Sequence, residues 1–431
     1  MSDLAPRMKI FAPLRLRDFR ILWTGMAISL LGDGVTLVAI AWQVYLLSDL
    51  PSALGTAMMA MSMPQVLLLL FGGMASDRFQ KRWLMVGADV IRCLALVTLG
   101  ILSITGVLEL WHLTAIAAFY GAGSAFFGPA FDALVPDVVP ERDLAQANAV
   151  DNFVRPLAGR LVGPALGGWI IAEAGVGWAF IFDAATFVVS IVCLMLLGRV
   201  RPRQREEVPV PRASMWAEIR EGFAYVQSHV WLWGTLIAAT LAYFLFLGPS
   251  EVLVPHIVKN ELGGTAGDLG MVFAVGGLGA VLSSLIMAQR GIPARNMTFI
   301  YVAWTISTLS VAGYGFANAT WQMMAVCFVF NAFESAGLIV WLTTTQVLVP
   351  PRLLGRVSSL KFIAVALMPL SYVLAGFSAS LLGARLTLIC AGAFGAAATL
   401  AFLFLPDMRA PERKMRVAMA GGLAAQQAVP Q

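Results

Sequence analysis

ILWTGMAISLLGDGVTLVAIAWQVYLL, residues 21–47, holds a single charged side chain, Asp33, in an otherwise uncharged run. An α-helix rises about 1.5 Å per residue, so this run reaches roughly 40 Å, and the hydrocarbon core of a bilayer is about 30 Å thick. The stretch therefore predicts a membrane-spanning helix. It is too long for the core of a signal peptide, and the charges before it continue to Arg20 with no small-residue cleavage site after it, so it is expected to stay in the membrane.

Eleven further apolar runs follow, at roughly 54–75, 84–106, 111–134, 147–172, 178–198, 230–255, 269–289, 297–317, 321–348, 358–382 and 386–405. They lack the period-2 alternation of a membrane barrel, and lipid cannot satisfy an irregular backbone, so each is expected to be helical. The predicted fold class is an all-α polytopic membrane protein of twelve helices. Composition agrees. The 431 residues are 59% hydrophobic and 12% charged, where a soluble domain carries about 25% charge. A water-soluble enzyme and a disordered chain are both excluded. Cys93, Cys193, Cys327 and Cys390 lie inside apolar runs without CxxC spacing and read as small buried hydrophobes.

Lys and Arg are gathered in alternate connections. With twelve spans, 24 of the 29 fall on the side that holds both termini, which the positive-inside rule makes cytoplasmic. The expected location is the inner (cytoplasmic) membrane. Residues 199–229 form the one long connection on that side, opening with the proline- and charge-rich RVRPRQREEVPVPR and ending in an amphipathic helix with Trp216, Ile219 and Phe223 on one face. The expected organisation is a six-helix unit over 1–198, the linker 199–229, a second six-helix unit over 230–406, and a basic tail over 407–431 that can touch anionic lipid. A shift of 210 residues lays VPERDLAQANAV (139–150) on VPPRLLGRVSSL (349–360), pairing Arg142 with Arg352. Two units repeated in the same orientation suit rocking about a central site.

Two motifs carry a family resemblance. GMASDRFQKR (73–82) resembles the Gly-x-x-x-Asp-Arg-x-Gly-Arg/Lys-Arg/Lys loop of the major facilitator superfamily, on Gly73, Asp77, Arg78, Lys81 and Arg82. GRLVGPALGG (159–168) resembles the Gly-x-x-x-Gly-Pro-x-x-Gly-Gly motif of that superfamily's antiporters, on Gly159, Gly163, Pro164, Gly167 and Gly168. The opening of the chain resembles its twelve-helix drug exporters, which include macrolide and tetracycline pumps. The sequence departs from the pattern in having Gln80 for the loop glycine and no Arg in the first half of span 4. The resemblance implies the major facilitator fold, with two parallel six-helix repeats, and a gate in which Asp77 faces span 11 and Asp132 receives Arg78.

The residues suggest their own roles. Asp33 lies 12 residues into its span, a depth where a carboxylate costs several kcal/mol unless it faces a partner or a wet cavity. Thr36 continues its face. Glu334 lies mid-span on a stripe with Asn331, Leu338, Trp341 and Thr345. Asp33 and Glu334 are the expected proton-coupling or cargo carboxylates, with Asn331, Trp341 and Thr36 beside them. Phe127, Phe131, Tyr243 and Phe246 are candidate aromatic contacts. The glycines at 159, 163 and 167 leave one stripe bare for close helix packing, and Arg160 within it needs a partner. Asp89 with Arg92, and Asp151 with Arg155, share helix faces and are expected to pair. Asp183 and Glu251 are placed near the rim of the exit path.

Absent motifs narrow the function. There is no P-loop, no HExxH, no serine elbow and no clustered His/Cys set, so neither ATP coupling, catalysis nor a cofactor is expected. The basic loops are accounted for by topology, so nucleic acid is not an expected partner. The leading expectation, implied by the resemblance, is a monomeric proton-coupled exporter of small amphipathic organic compounds. A native metabolite such as a siderophore or lysolipid is the alternative cargo. A non-transporting sensor or an enzyme on the same fold is the alternative of a different class.

Overall fold

The computed structural model describes residues 13–198, 215–350, 353, 357 and 362–413. Among the described residues it is helical throughout, without strands. The first six passes are α1 (Arg17–Leu47), α2 (Pro51–Arg78), α3 (Lys81–Ile104), α4 (Leu110–Val138), α5 and α6 (Val176–Leu196). α5 is a composite of Glu141–Arg155, a π-helical stretch Pro156–Val162, and Gly163–Ala174. A linker helix, Met215–Gln227, leads to α7 (Val230–His256, closing on a π turn Ile257–Glu261). Then come α8 (Ala266–Arg290), α9 (Asn296–Phe316), α10 (Thr320–Leu348), α11 (Phe362–Val365 and Met368–Leu382) and α12 (Ala384–Phe402).

Ten of the described helices are long and apolar enough to cross a bilayer. The remaining two passes differ for identifiable reasons. α5 is charged in its first segment and interrupted by the π stretch, and the described part of α11 is the shorter apolar helix Met368–Leu382. Large apolar side chains such as Leu94, Trp169, Phe394 and Phe404 are more than half exposed on the outside of the bundle, a surface that suits lipid tails.

The two halves repeat in three dimensions. α1 packs on α6, α2 on α4, and α3 on both α4 and α6; likewise α7 packs on α12, α8 on α10, and α9 on both α10 and α12. Each half turns from its fifth to its sixth helix on a single glycine, Gly175 at φ +91° and Gly383 at φ +82°. Both angles lie where a side chain would be strained. The halves meet reciprocally, α5 against α8 and α2 against α11. The paired Arg142 and Arg352 side chains lie outside the described ones.

Call the end where α1 begins the terminal end, and its opposite the far end. At the far end one buried core runs through both halves, from Val35–Tyr45 and Leu54 across to Val252–Val258 and Tyr372. At the terminal end each half keeps its own core, around Phe19, Met85 and Leu134 in the first and Trp231, Tyr301 and Met408 in the second. Far-end closure is backbone against backbone. A Cβ on Gly168 would stand 2.7 Å from the Ala266 carbonyl oxygen, on Gly270 2.5 Å from that of Pro164, and on Gly55 2.4 Å from that of Tyr372. The Tyr45 hydroxyl adds a bond to the Val252 carbonyl at 2.8 Å, and Lys259 donates to the Tyr45 carbonyl. Overpacking a tight contact costs roughly 1–3 kcal/mol. Gly270→Ala is accordingly expected to loosen the far end, read as faster thiol labelling of an Ala41→Cys reporter from that side. An unchanged labelling rate would show that this contact does not hold the closure.

The linker helix buries Gly222 and Val226, while Phe223 is exposed; the Trp216 and Ile219 side chains lie outside the described ones. Residues 199–214 and the tail from 414 also lie outside the described residues.

Candidate functional site

A cavity of about 330 Å³ lies on the seam between the halves. Its walls are mostly apolar and aromatic, with Phe246, Phe273, Phe330, Tyr314 and Met368 from the second half and Leu37, Met58 and Pro164 from the first. Three charged groups enter it. Glu334 stands on α10 and Glu251 on α7, while Arg160 arrives from the π stretch of α5 in the other half. A π turn inserts one residue per turn relative to an α-helix and re-aims the side chains beyond it; here it begins on Pro156, which has no amide to give. Arg160 Nη1 lies 3.7 Å from Glu334 Oε2 and 3.3 Å from Asn331 Oδ1. The Tyr243 hydroxyl bonds Glu334, and that of Tyr372 bonds Glu251. Two glycines on α8 make the crossing possible: a Cβ on Gly277 would lie 2.3 Å from the Arg160 carbonyl oxygen, and one on Gly276 2.7 Å from Asn331 Nδ2.

A second compartment of about 350 Å³ adjoins the first, sharing Leu37 and Met58, and belongs to the first half. Asp33, Gln65, Arg92, Tyr120, Phe127 and Arg155 line it. Asp33 and Arg92 open it onto a polar cluster of three carboxyls around one guanidinium. The Tyr120 hydroxyl donates to Asp33 Oδ1 at 2.6 Å, and Arg92 Nη1 lies 3.8 Å from the same oxygen. Arg92 bonds Asp89, whose other oxygen takes the Ser190 hydroxyl at 2.6 Å. Asp183 accepts from Thr36 at 2.5 Å and Thr186 at 2.9 Å. The Arg92 guanidinium lies between Phe127 and Phe187, 4.6 and 4.3 Å from their ring centroids. Asp89 and Asp183 are wholly buried, whereas the Asp33 side chain keeps 31% exposure toward the compartment. One cation against three carboxyls leaves a charge that a proton or a cargo cation can balance.

These placements revise several sequence expectations. Asp183 does not rim an exit path; it is buried with Thr36, 147 residues away in sequence. Glu251 faces the seam cavity rather than an outer rim. Trp341 packs edge-on against Trp231, 5.7 Å between rings, in the terminal-end core. Phe131 is buried beside Phe127, with Arg155 over its ring at 5.5 Å. Tyr243, Phe246, Asn331 and Glu334 come together in the seam cavity, and Asp33, Thr36 and Phe127 in the second compartment. The expected pairs Asp89–Arg92 and Asp151–Arg155 form, the latter at 2.6 Å. Span 4 carries no Arg in its first half, yet α3 sets Arg92 against Tyr120 and Phe127 of α4.

The 73–82 segment is not the expected loop but the end of α2 and the start of α3 joined by Phe79 and Gln80, and at the terminal end it is largely a staple within the first half. Lys81 binds Asp137 at 2.6 Å and the Ala133 carbonyl at 2.9 Å. Arg82 donates to the carbonyls of Met195 at 2.7 Å and Leu197 at 3.2 Å, the open C-terminus of α6. Arg78 and Asp132 are exposed; the Asp77 side chain lies outside the described ones. Gly73 meets open space, and Gly72 makes the close approach, where a Cβ would lie 2.4 Å from the Ala125 carbonyl oxygen. In the α5 motif, a Cβ on Gly163 would lie 2.6 Å from the Leu31 carbonyl oxygen and one on Gly167 2.9 Å from Val35 Cα, while Gly34 of α1 comes equally close to the carbonyl oxygen of Gly159. The motif thus clamps α1 on one side and, through Gly168, α8 of the other half on the other.

Known proteins share this architecture. The chain is 26% identical to the multidrug efflux pump Tap of Mycolicibacterium fortuitum, covering 92% of this chain and 96% of that one. It is 24% identical to macrolide efflux protein A of Streptococcus pyogenes, over 85% and 90% of the two chains. It is also 24% identical to the enterobactin exporter EntS of Citrobacter koseri, over 79% and 80%. Among solved structures, a bacterial homologue of the iron transporter ferroportin in an inward-facing state superposes with a TM-score of 0.65 at 14% identity, over 90% of this chain and 99% of that one. Residues 8–427 match the family described as transmembrane secretion effector. With its paired six-helix halves and a cavity on their seam, this multi-pass membrane chain belongs to the transmembrane secretion effector family of major facilitator transporters.

Proposed function

We propose that this chain is a secondary active exporter of small amphipathic organic compounds that exchanges them for protons by alternating access. The observation that carries the reading is the seam cavity: aromatic walls, two carboxyls, and contributions from both halves at once. A site built from both halves changes shape whenever they rock. The terminal end is cytoplasmic on this reading, because 24 of the 29 Lys and Arg fall there. Cargo would therefore enter from the cytoplasm with the far end sealed. Asp33, the one carboxyl of its cluster open to a compartment, serves as the proton-exchanging group, and Glu334 attracts the charged end of the cargo. The names of the relatives, a macrolide, a multidrug and an enterobactin exporter, support outward transport. The last of them favours a second cargo class, a metabolite of the siderophore kind.

Proteoliposomes with an imposed pH gradient and a panel of organic cations, neutral aromatics and catechol compounds test this. Gradient-dependent accumulation of an amphipathic member is expected; uptake indifferent to the gradient would overturn the coupling. Arg78 is assigned to the terminal-end latch with Asp77 and Asp132. It stands outside both compartments, so Arg78→Ala is expected to lower turnover severalfold with equilibrium cargo affinity unchanged, because a latch biases populations and not contacts. A matched loss of affinity would place Arg78 in the binding path instead.

A further inference from the structure

We propose that Arg160 is a built-in counter-cation of the seam cavity, which sets how much positive charge a cargo can carry. This rests on the export reading above and specifies its cargo. Arg160 belongs to the first half by sequence, yet its side chain crosses the seam to Glu334 and Asn331 of the second. The crossing is built into the backbone. Within the π stretch the Arg160 carbonyl packs against Gly277 of α8, and the bare Gly276 lets α10 close in beside it, so that the side chain reaches Glu334 and Asn331. Its side chain remains 55% exposed, whereas that of Glu334 is only 13% exposed. The carboxylate is thus the fixed, enclosed partner and the guanidinium the one with free space to withdraw into.

Charge sets the chemistry. Arg160 occupies the place that a cargo ammonium would take, holding Glu334 neutralised while the cavity is empty. A single cationic end can replace it at Glu334, since one positive charge is exchanged for another. A second cationic charge would meet the displaced guanidinium in the same cavity of about 330 Å³, where Glu251, already bonded by the Tyr372 hydroxyl, is the one remaining carboxyl to serve both. Two like charges some angstroms apart repel by a few kcal/mol at an effective dielectric constant of about 20. The cavity therefore discriminates against dications and admits monocations and neutral aromatics.

Two probes of matched two-ring shape test this on the purified full-length chain: 1-methyl-4-phenylpyridinium, with one charge, and methyl viologen, with two. The parent is expected to bind the monocation in preference. Arg160→Gln is expected to shift the affinity ratio toward the dication by roughly tenfold or more, and Arg160→Lys to keep the parental ratio. Arg160→Gln combined with Glu334→Gln restores the net charge and is expected to bring the ratio back toward the parent, a check that does not depend on the single Gln variant folding well. The neutral 4-phenylpyridine should bind all forms alike. An unchanged ratio in Arg160→Gln, with the parent binding the monocation, overturns the counter-cation and leaves the export reading standing. Failure of the parent to bind either ion while it binds 4-phenylpyridine overturns the counter-cation and leaves the export reading standing; failure to bind any of the three overturns both.

Discussion

Asp33→Asn is expected to reduce pH-gradient-driven export to background while leaving the fold and cargo binding at the seam cavity in place. Asn has nearly the size of Asp and can still accept the Tyr120 hydroxyl, which lies 2.6 Å from Asp33 Oδ1. It cannot carry a proton. Arg92 keeps its bond to Asp89, so no cation is stranded. The effect is specific to Asp33 because the other two carboxyls of the cluster are enclosed. Asp89→Ala would instead strip the buried Arg92 of its closest partner, a change worth about 3–5 kcal/mol for a buried pair, and is expected to reduce folded protein. The measurement is dye accumulation in proteoliposomes beside a thermal melt of each variant. Parental pumping by Asp33→Asn would remove the residue from the coupling path.

Glu334→Gln is expected to weaken binding of monocationic cargo by about 2 kcal/mol or more, roughly thirtyfold, with neutral cargo unaffected. Glu334 is enclosed between Arg160, Asn331 and the Tyr243 hydroxyl. Its amide analogue keeps the hydrogen bonding but offers no charge. The unpaired Arg160 adds repulsion, so the loss should be greater for 1-methyl-4-phenylpyridinium than for 4-phenylpyridine in equilibrium binding. Equal losses for the charged and neutral probes would mean that the substitution damages the shape of the cavity and not its charge.

The spans were legible because lipid leaves a long apolar run only one conformation to adopt. The repeat was partly legible from Val-Pro-x-Arg before each fifth helix, and the glycine turns at Gly175 and Gly383 show the same relation about 210 residues apart. Faces were harder to read. In a bilayer the lipid side and the packed side of a helix are both apolar, so the periodicity that marks a core face in water is weak. That is why Trp341, on the same stripe as Glu334, could pass for a cavity residue although it packs on Trp231. Polar residues were legible as costly but not as partnered. Asp183 finds Thr36, and Arg160 finds Glu334, only through the tertiary fold. Short-range pairs such as Asp89–Arg92 needed only helical spacing. The π stretch had one local signal, prolines at 156 and 164 flanking the segment, and its consequence for Arg160 required the structure.

Exchange of cargo for protons requires that cargo binding displace a proton. Purified protein in a weakly buffered solution with a pH indicator is mixed with 1-methyl-4-phenylpyridinium. Binding is expected to release protons from the parent, and Asp33→Asn to bind the same cation with that release lost. Saturable binding by the parent with no proton released would contradict it.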